Sequence, residues 1–455
     1  MAQLLREKFF VSQNLRCSCI SPHDSRLFAD DLDVSKAYTE ALRKAGCLTN
    51  EQCSSILAGL ELVRYDWIEG LLKFSPTDKD VHTINKRRLT EIIGEVGQYL
   101  NSGCSRNEQV LTDMKLWLRK AINELLVRVQ RCIEAILEKA EHHLGVLMPA
   151  SIDLQRVQAV QFSHWLLSYA WILREDYLRL KEQEKLLLVS PLGSGTVAGN
   201  PFHIDRVWLA KRLGFTSVTT NSLHAVADSD FMVNFIYCSS MLSLHLSGLA
   251  EEFIIYTTKE FDFLTLSEPS AKSNRLESDS SSMELVRGAS VQICACLTGI
   301  MMTTKNLRTS CHKDWQYDKR YCFETFDALQ GALKITASAL MGLKINPPQM
   351  EAKLCPEMLA ADWVYYLAKK GIPPSQGQQY IENVIAFAKR ESSDITGIPL
   401  EELQNICPYI DRDIANVADF RDIVEQYDVT GGTASTSVQK QINLLKEFVT
   451  NLKKD

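Results

Sequence analysis

Two polar turns carry the side chains best suited to chemistry, His82-Thr-Ile-Asn85 and Ser105-Arg-Asn-Glu-Gln109. Each stands in or beside a helix start, where backbone N–H groups and an arginine can hold a carboxylate. On the residues alone, the simpler reading is that Ser105 and Asn107 cap the long helix behind them. A glycine-rich stretch from Ser190 to Pro201 has neither G-x-G-x-x-G nor G-K-[ST] and follows no expected strand, so it does not read as a nucleotide cradle. His142, His143 and His164 fall on expected helices and read as partly exposed or core-satisfied side chains. The 13 cysteines occur as singles and two C-x-C pairs, Cys17/Cys19 and Cys294/Cys296, a spacing that fits neither a zinc site nor a disulfide framework. They read as reduced, mostly core cysteines of a cytoplasmic protein. No metal and no cofactor is expected.

Helices must position these turns. Between Gly103 and Gly145 there is no glycine or proline, and Val110, Met114, Trp117, Ala121, Leu125, Val129, Ile133, Ile136, Ala140 and Leu144 recur at steps of three and four. That spacing predicts one helix of about 40 residues, roughly 60 Å long. A second breaker-free run goes from Ser151 to Ser190. Its middle, Trp165 to Leu173, is apolar on nearly every face, so other helices must surround it. Further helices are expected over about Ser222–Leu264, Met283–Leu307 and Tyr317–Ile345, while the period-two alternation of strands is nearly absent. The expected fold class is all-α, a central bundle of about five long helices with smaller helical domains at either end. The domains are placed at 1–106, 107–346 and 347–455. Helices this long expose more apolar surface than one protomer covers, so the bundle should pack against copies of itself.

Composition excludes several classes. A formal net charge of -6 points away from nucleic acid, and 45% apolar residues suffice for a buried core. Phe231 to Leu249, the most apolar stretch, is interrupted by Asn234, several serines and His245, so no segment reads as a membrane span. Arg6, Glu7 and Lys8 stand where a secretory leader would need apolar residues.

In combination the motifs carry a resemblance. Ser35-Lys-Ala-Tyr38, Asp80-Val-His-Thr-Ile-Asn85, Ser105-Arg-Asn-Glu-Gln109, Ser163-His-Trp165, Pro191 to Pro201, Thr258-Lys-Glu-Phe261, Lys313 to Lys319, Asp362 to Tyr366, and Glu425 to Ala434 follow one another as they do in argininosuccinate lyases. The chain resembles that family, within the superfamily of fumarase, aspartase and delta-crystallin. The resemblance implies a homotetramer with three protomers building each site, and a β-elimination that splits argininosuccinate into arginine and fumarate. It implies substrate-binding roles for Thr83, Asn85, Ser105, Arg106, Asn107, Gln316 and Lys319.

Elimination needs a base for a carbon-bound proton, an acid for the leaving nitrogen, and cationic or N–H groups for the carboxylates. Several positions depart from the family pattern. Cys104 replaces an expected arginine. The helix-start motif that usually reads Thr-His-Leu-Gln is here Ile152-Asp-Leu-Gln155, which puts Asp153 at the family's histidine position. An aspartate ordinarily ionises near pH 4, making it a poor acid at neutral pH. The family's mobile loop, Gly-Ser-Ser-x-Met-Pro-x-Lys-x-Asn-Pro, is missing between Leu266 and Glu284. Serines such as Ser273 remain there without glycine and lysine framing, and the loop reads as loosely held. Cys311 and His312 stand where a tyrosine and an asparagine are expected, and the stretch from Asn221 to Asp230, with His224, has lost an aspartate, a serine and an arginine.

The leading expectation is therefore a lyase-fold protein with little or no turnover. It would serve a structural or regulatory role in a homotetramer, or in a hetero-tetramer with an active paralogue. One alternative is an active lyase using Asp153 and a loop serine such as Ser273. Another is a binder of a small dicarboxylate or an arginine-like ligand.

Overall fold

A computed structural model describes residues 24–75, 78–266, 281–305 and 318–453. Helices dominate it. The N-terminal ones are α1 (Phe28–Lys44), α2 (Asn50–Ile68) and α3 (Val81–Ile93), followed by α4 (Arg106–His142). A hairpin of β1 (Leu147–Ile152) and β2 (Gln155–Gln161) leads into α5 (Phe162–Leu187). Next come β3 (Val189–Ser190), α6 (Arg206–Arg212), β4 (Ser217–Val218), α7 (Ser222–Ala227) and α8 (Asp230–Thr257). After β5 (Leu264–Leu266) stand α9 (Ser281–Thr304), α10 (Asp318–Gly342) and β6 (Leu343–Ile345). The C-terminal helices include α11 (Pro347–Ala352), α12 (Ala360–Lys369), α13 (Pro374–Arg390), α14 (Leu400–Ile406), α15 (Phe420–Glu425) and α16 (Ser435–Leu452).

The all-α class holds and five long helices, α4, α5, α8, α9 and α10, are present, but the helix expected over about Ser222–Leu264 is broken at Asp228 and Ser229, between α7 and α8, and ends at Thr257, with Leu264 in β5. Helix α4 runs 37 residues, and Met114, Ala121, Leu125, Val129, Ile133, Ile136 and Ala140 from the periodic set are buried. Gly145, at φ +79, follows its end in a conformation that a side chain would strain.

The chain divides into two compact units, 1–127 with 178–241 and 290–330, and 128–177 with 242–289 and 331–455. In the first unit Trp117 stands edge-on to Phe323 and Phe326, centroids 4.6 and 5.5 Å away, tying α4 to α10. Gly299 of α9 lies where a Cβ would come within 2.5 Å of the Tyr321 ring, so only glycine allows that approach. Strands β3 and β4 form a short parallel pair. In the second unit Trp165 packs against Phe253 and Tyr256 of α8 and donates its indole N–H to Glu252. A further core gathers Trp363 and Leu367 of α12 with Ile381 and Val384 of α13 and Leu403 of α14. Strands β5 and β6 pair antiparallel.

Further expectations are corrected. The run from Ser151 is not helical at its start; it belongs to the β1–β2 hairpin, and α5 begins only at Phe162. Strand β2 alternates, burying Ala159 and Gln161, and the Gln161 backbone N–H donates to Thr433 Oγ1 at 2.8 Å. Thus Ile152-Asp-Leu-Gln155 is a hairpin turn rather than a helix start. Asp153 and Leu154 have φ +51 and +63, the pattern of a two-residue type I′ turn. The glycine-rich stretch does follow a strand, the two-residue β3. As for membrane spans, α9 alone among the described helices is long and apolar enough to cross one by length and composition. The expectations for Cys17, Cys19, the 267–280 part of the loop, Cys311 and His312 lie outside the described residues.

Candidate functional site

The first unit builds a buried polar cluster from α1, α3 and the first turns of α4. His82 bonds Asp31 through Nδ1, and its Nε2 faces Asp113 Oδ2 at 3.5 Å. Asn85 donates to the other Asp31 oxygen and accepts from the Trp67 indole at 2.6 Å. Gln109 donates to Asp31 at 2.6 Å and to Ser35 at 3.3 Å. These side chains are all nearly sealed from solvent. Burial raises the Asp31 carboxyl to about 7 and holds that of Asp113 far above its ordinary range, with Asp31 adding to the latter.

Asp31, His82 and Asp113 come nearest to a metal-ligand set among the described residues. The two carboxylates address opposite edges of the imidazole, however, so one ion can take Nε2 with Asp113 but not Nδ1 as well. The arrangement is better suited to clamping and orienting a ring than to coordinating a cation.

A second layer reaches the surface. Asp80 caps α3, accepting from the Thr83 backbone N–H at 2.8 Å and its hydroxyl at 2.7 Å. The same carboxylate oxygen lies 3.3 Å from the guanidinium of Arg106, which is 45% exposed. Lys319, at the start of α10, pairs with Asp24, whose second oxygen accepts the Val81 backbone N–H at 3.0 Å. Each of these two cations thus has a carboxylate partner inside the protein.

Ser105 and Glu108 form a capping box. The Glu108 backbone N–H donates to Ser105 Oγ at 3.3 Å, and the Ser105 backbone N–H donates to Glu108 Oε1 at 2.7 Å. Glu108 also accepts the Gly195 backbone N–H at 2.8 Å, which ties the glycine-rich stretch to the start of α4. Gly195 has φ +69, and a Cβ on it would meet the Gly199 carbonyl at 2.3 Å. Arg206 links the same stretch to the segment after β4, donating to the carbonyls of Leu192 at 3.1 Å and Thr219 at 2.8 Å. The motif's glycines therefore serve a structural clasp. Burial pushes the Cys104 thiol well above its usual range, so the residue brings no charge where the family resemblance expects an arginine.

The structure brings Thr83, Asn85, Ser105, Arg106, Asn107 and Lys319 into the first unit. Asn85 is fully buried with both ends of its amide engaged, whereas Thr83 and Arg106 remain partly accessible. Asp153 is exposed in the hairpin turn of the second unit. His224 is exposed in the first turn of α7. Ser273 and Gln316 lie outside the described residues. Sequence reasoning passed over Asp24, Asp31, Asp113 and the cross-link from Glu108. One signal was present: Gln109 and Asp113 are one turn apart on α4, so they share a face.

A lyase family model matches residues 8–283. An argininosuccinate lyase of Schizosaccharomyces pombe is 37% identical over 423 residues, covering 92% of each chain. The chain belongs to the argininosuccinate lyase family. A probable argininosuccinate lyase of the same yeast is 36% identical over 429 residues, covering 93% of each chain. Among solved structures, an EDDS lyase in complex with formate superposes with a TM-score of 0.84 at 21% identity, covering 94% of this chain and 87% of that one. A fumarate lyase from Mesorhizobium gives 0.75 at 16% identity, with 97% of each chain covered. These two likenesses speak for the fold. Against the argininosuccinate lyase pattern, the buried His82 cluster underlies the Asp80 to Asn85 motif, and the capping box underlies Ser105 to Gln109.

Proposed function

We propose that this argininosuccinate lyase homologue has lost most or all elimination chemistry and persists as a structural or regulatory subunit of a tetramer. The observation that carries the reading is Asp153. The side chain at the family's histidine position is a carboxylate, exposed in a strained two-residue turn. A carboxylate there adds repulsion toward a substrate rich in carboxylates and cannot stand in for the imidazole of the family pattern. Arg106 and Lys319 support the same reading, since Asp80 and Asp24 already offset their charge. We retain the cytoplasm as its compartment on the strength of cysteine usage, and the three-part division at 106 and 346 as the domain scheme.

Exposed apolar residues support self-association. On α9, Leu285 is 65%, Val291 70% and Met302 67% exposed, a helix face that water would leave costly. A second copy, or an active paralogue with the same bundle, would cover it. In such a mixed tetramer the intact Ser105, Arg106 and Asn107 would complete a site whose other parts come from the partner. Thr83 and Arg106, both partly accessible, keep a binding role for a small dicarboxylate in view.

The test is purified chain with argininosuccinate, followed for hours by the ultraviolet absorbance of fumarate. Turnover near the uncatalysed background is expected. Robust conversion, abolished in Asp153→Asn, would establish the active-lyase reading instead. Co-expression with an active lyase and native mass measurement should find mixed tetramers; homotetramers under all conditions would remove the partner role.

A further inference from the structure

The C-terminal part of the second unit holds a cavity of about 470 Å³, apart from every site residue discussed above. Asp362, Tyr365, Tyr366 and Lys369 of α12 line one side, and Asp413 and Tyr427 stand opposite among its other walls. Trp363 fixes α12 there by donating its indole N–H to the Val417 carbonyl at 2.8 Å.

The charges are arranged asymmetrically. Asp362 is only 8% exposed, and its Oδ1 accepts the Tyr427 hydroxyl. Burial raises its carboxyl, so the site gains when a cation arrives to hold the charged form. Asp413 Oδ1 is already satisfied by the Tyr366 hydroxyl at 2.5 Å and by Lys370 at 2.9 Å. Lys369, at the rim, donates to the neutral amide of Gln426 at 3.2 Å. The cavity therefore offers a sheltered carboxylate among phenol rings and, two turns further along the same helix, an ammonium whose hydrogen bond runs to an uncharged group.

We propose that this cavity binds a zwitterionic amino acid with a planar cationic side chain. The guanidinium-like end would lie against Asp362 among the tyrosines, and the α-carboxylate would meet Lys369. A flat, weakly hydrated cation can bond a carboxylate edge while stacking on ring faces, which a compact ammonium does less well. A ligand on Asp362 competes with Tyr427 for that carboxylate. Tyr427 in turn accepts from Gln158 of β2 at 3.0 Å, so occupancy would be felt in the hairpin that carries Asp153. The site stands whether or not the chain turns over argininosuccinate.

Isothermal titration of the full chain tests this with L-arginine, L-citrulline, which lacks the charge, and agmatine, which lacks the carboxylate. Arginine should bind, citrulline should not, and agmatine should bind about tenfold more weakly. Asp362→Asn should weaken arginine about tenfold or more, and the exposed Lys369→Met should bring arginine to the level of agmatine. Arg106→Leu should leave arginine binding unchanged, which separates this cavity from the lyase-type site. Should Asp362→Asn fail to fold, Lys369→Met and the two analogues still decide. Equal affinity for arginine and citrulline, loss of binding in Arg106→Leu, or no binding of arginine at all would overturn the assignment.

Discussion

His82 lies between carboxylates that burial pushes toward their neutral forms, and the two are not equivalent. Asp31 accepts from Asn85 and Gln109 as well as the imidazole, whereas the Asp113 oxygens have no hydrogen-bond partner among the described residues, Oδ2 lying 3.5 Å from His82 Nε2. Removing the ring should therefore matter more than neutralising the outer carboxylate. His82→Ala is expected to cost about 3–5 kcal/mol, because it leaves a buried, hydrogen-bonded carboxylate without its counterpart. Asp113→Asn should cost about 1 kcal/mol or less. Urea denaturation of the two variants decides, and the reverse order would sink the clamp reading. At this scale the sequence displayed the motif but not its partners. His82, Asn85 and Gln109 were legible in their turns; Asp31, 51 to 78 positions away on another helix, becomes their neighbour only through packing.

Helix α4 was legible because glycine and proline are absent between Gly103 and Gly145 and its apolar spacing keeps a 3.6-residue period. The hairpin was not. Its turn lacks the Asn-Gly signature, Pro149 interrupts one strand, and the other is mostly exposed and polar at its start. Asp153 and Leu154 instead hold the left-handed conformation without glycine, which costs about 1 kcal/mol or more per residue. Leu154 is 65% exposed and loses little packing if removed. Leu154→Gly should therefore raise stability by about 1 kcal/mol, seen as a higher midpoint in thermal denaturation. A lower midpoint would mean that the turn is not the type I′ form described.

The molecule as a whole carries an acid-sensitive term of unusual sign. Burial raises the Asp318 carboxyl to about 7, against the pull of Lys319. The folded chain thus keeps a proton that the unfolded chain releases near pH 4. This contribution is fully present below about pH 4 and is lost as pH rises through about 7. Asp318→Asn should flatten the fall in stability between pH 4 and 8 by about 2–4 kcal/mol, read from urea midpoints across that range. An unchanged slope would assign the pH dependence elsewhere. Glu108 extends the theme of shared groups. One carboxylate, with no exposed surface, closes the first turn of α4 with one oxygen and pins the 190–201 stretch with the other. Neither segment can fray alone without stranding that charge in the interior, so their backbone amides should open to solvent as a single event with a common lifetime.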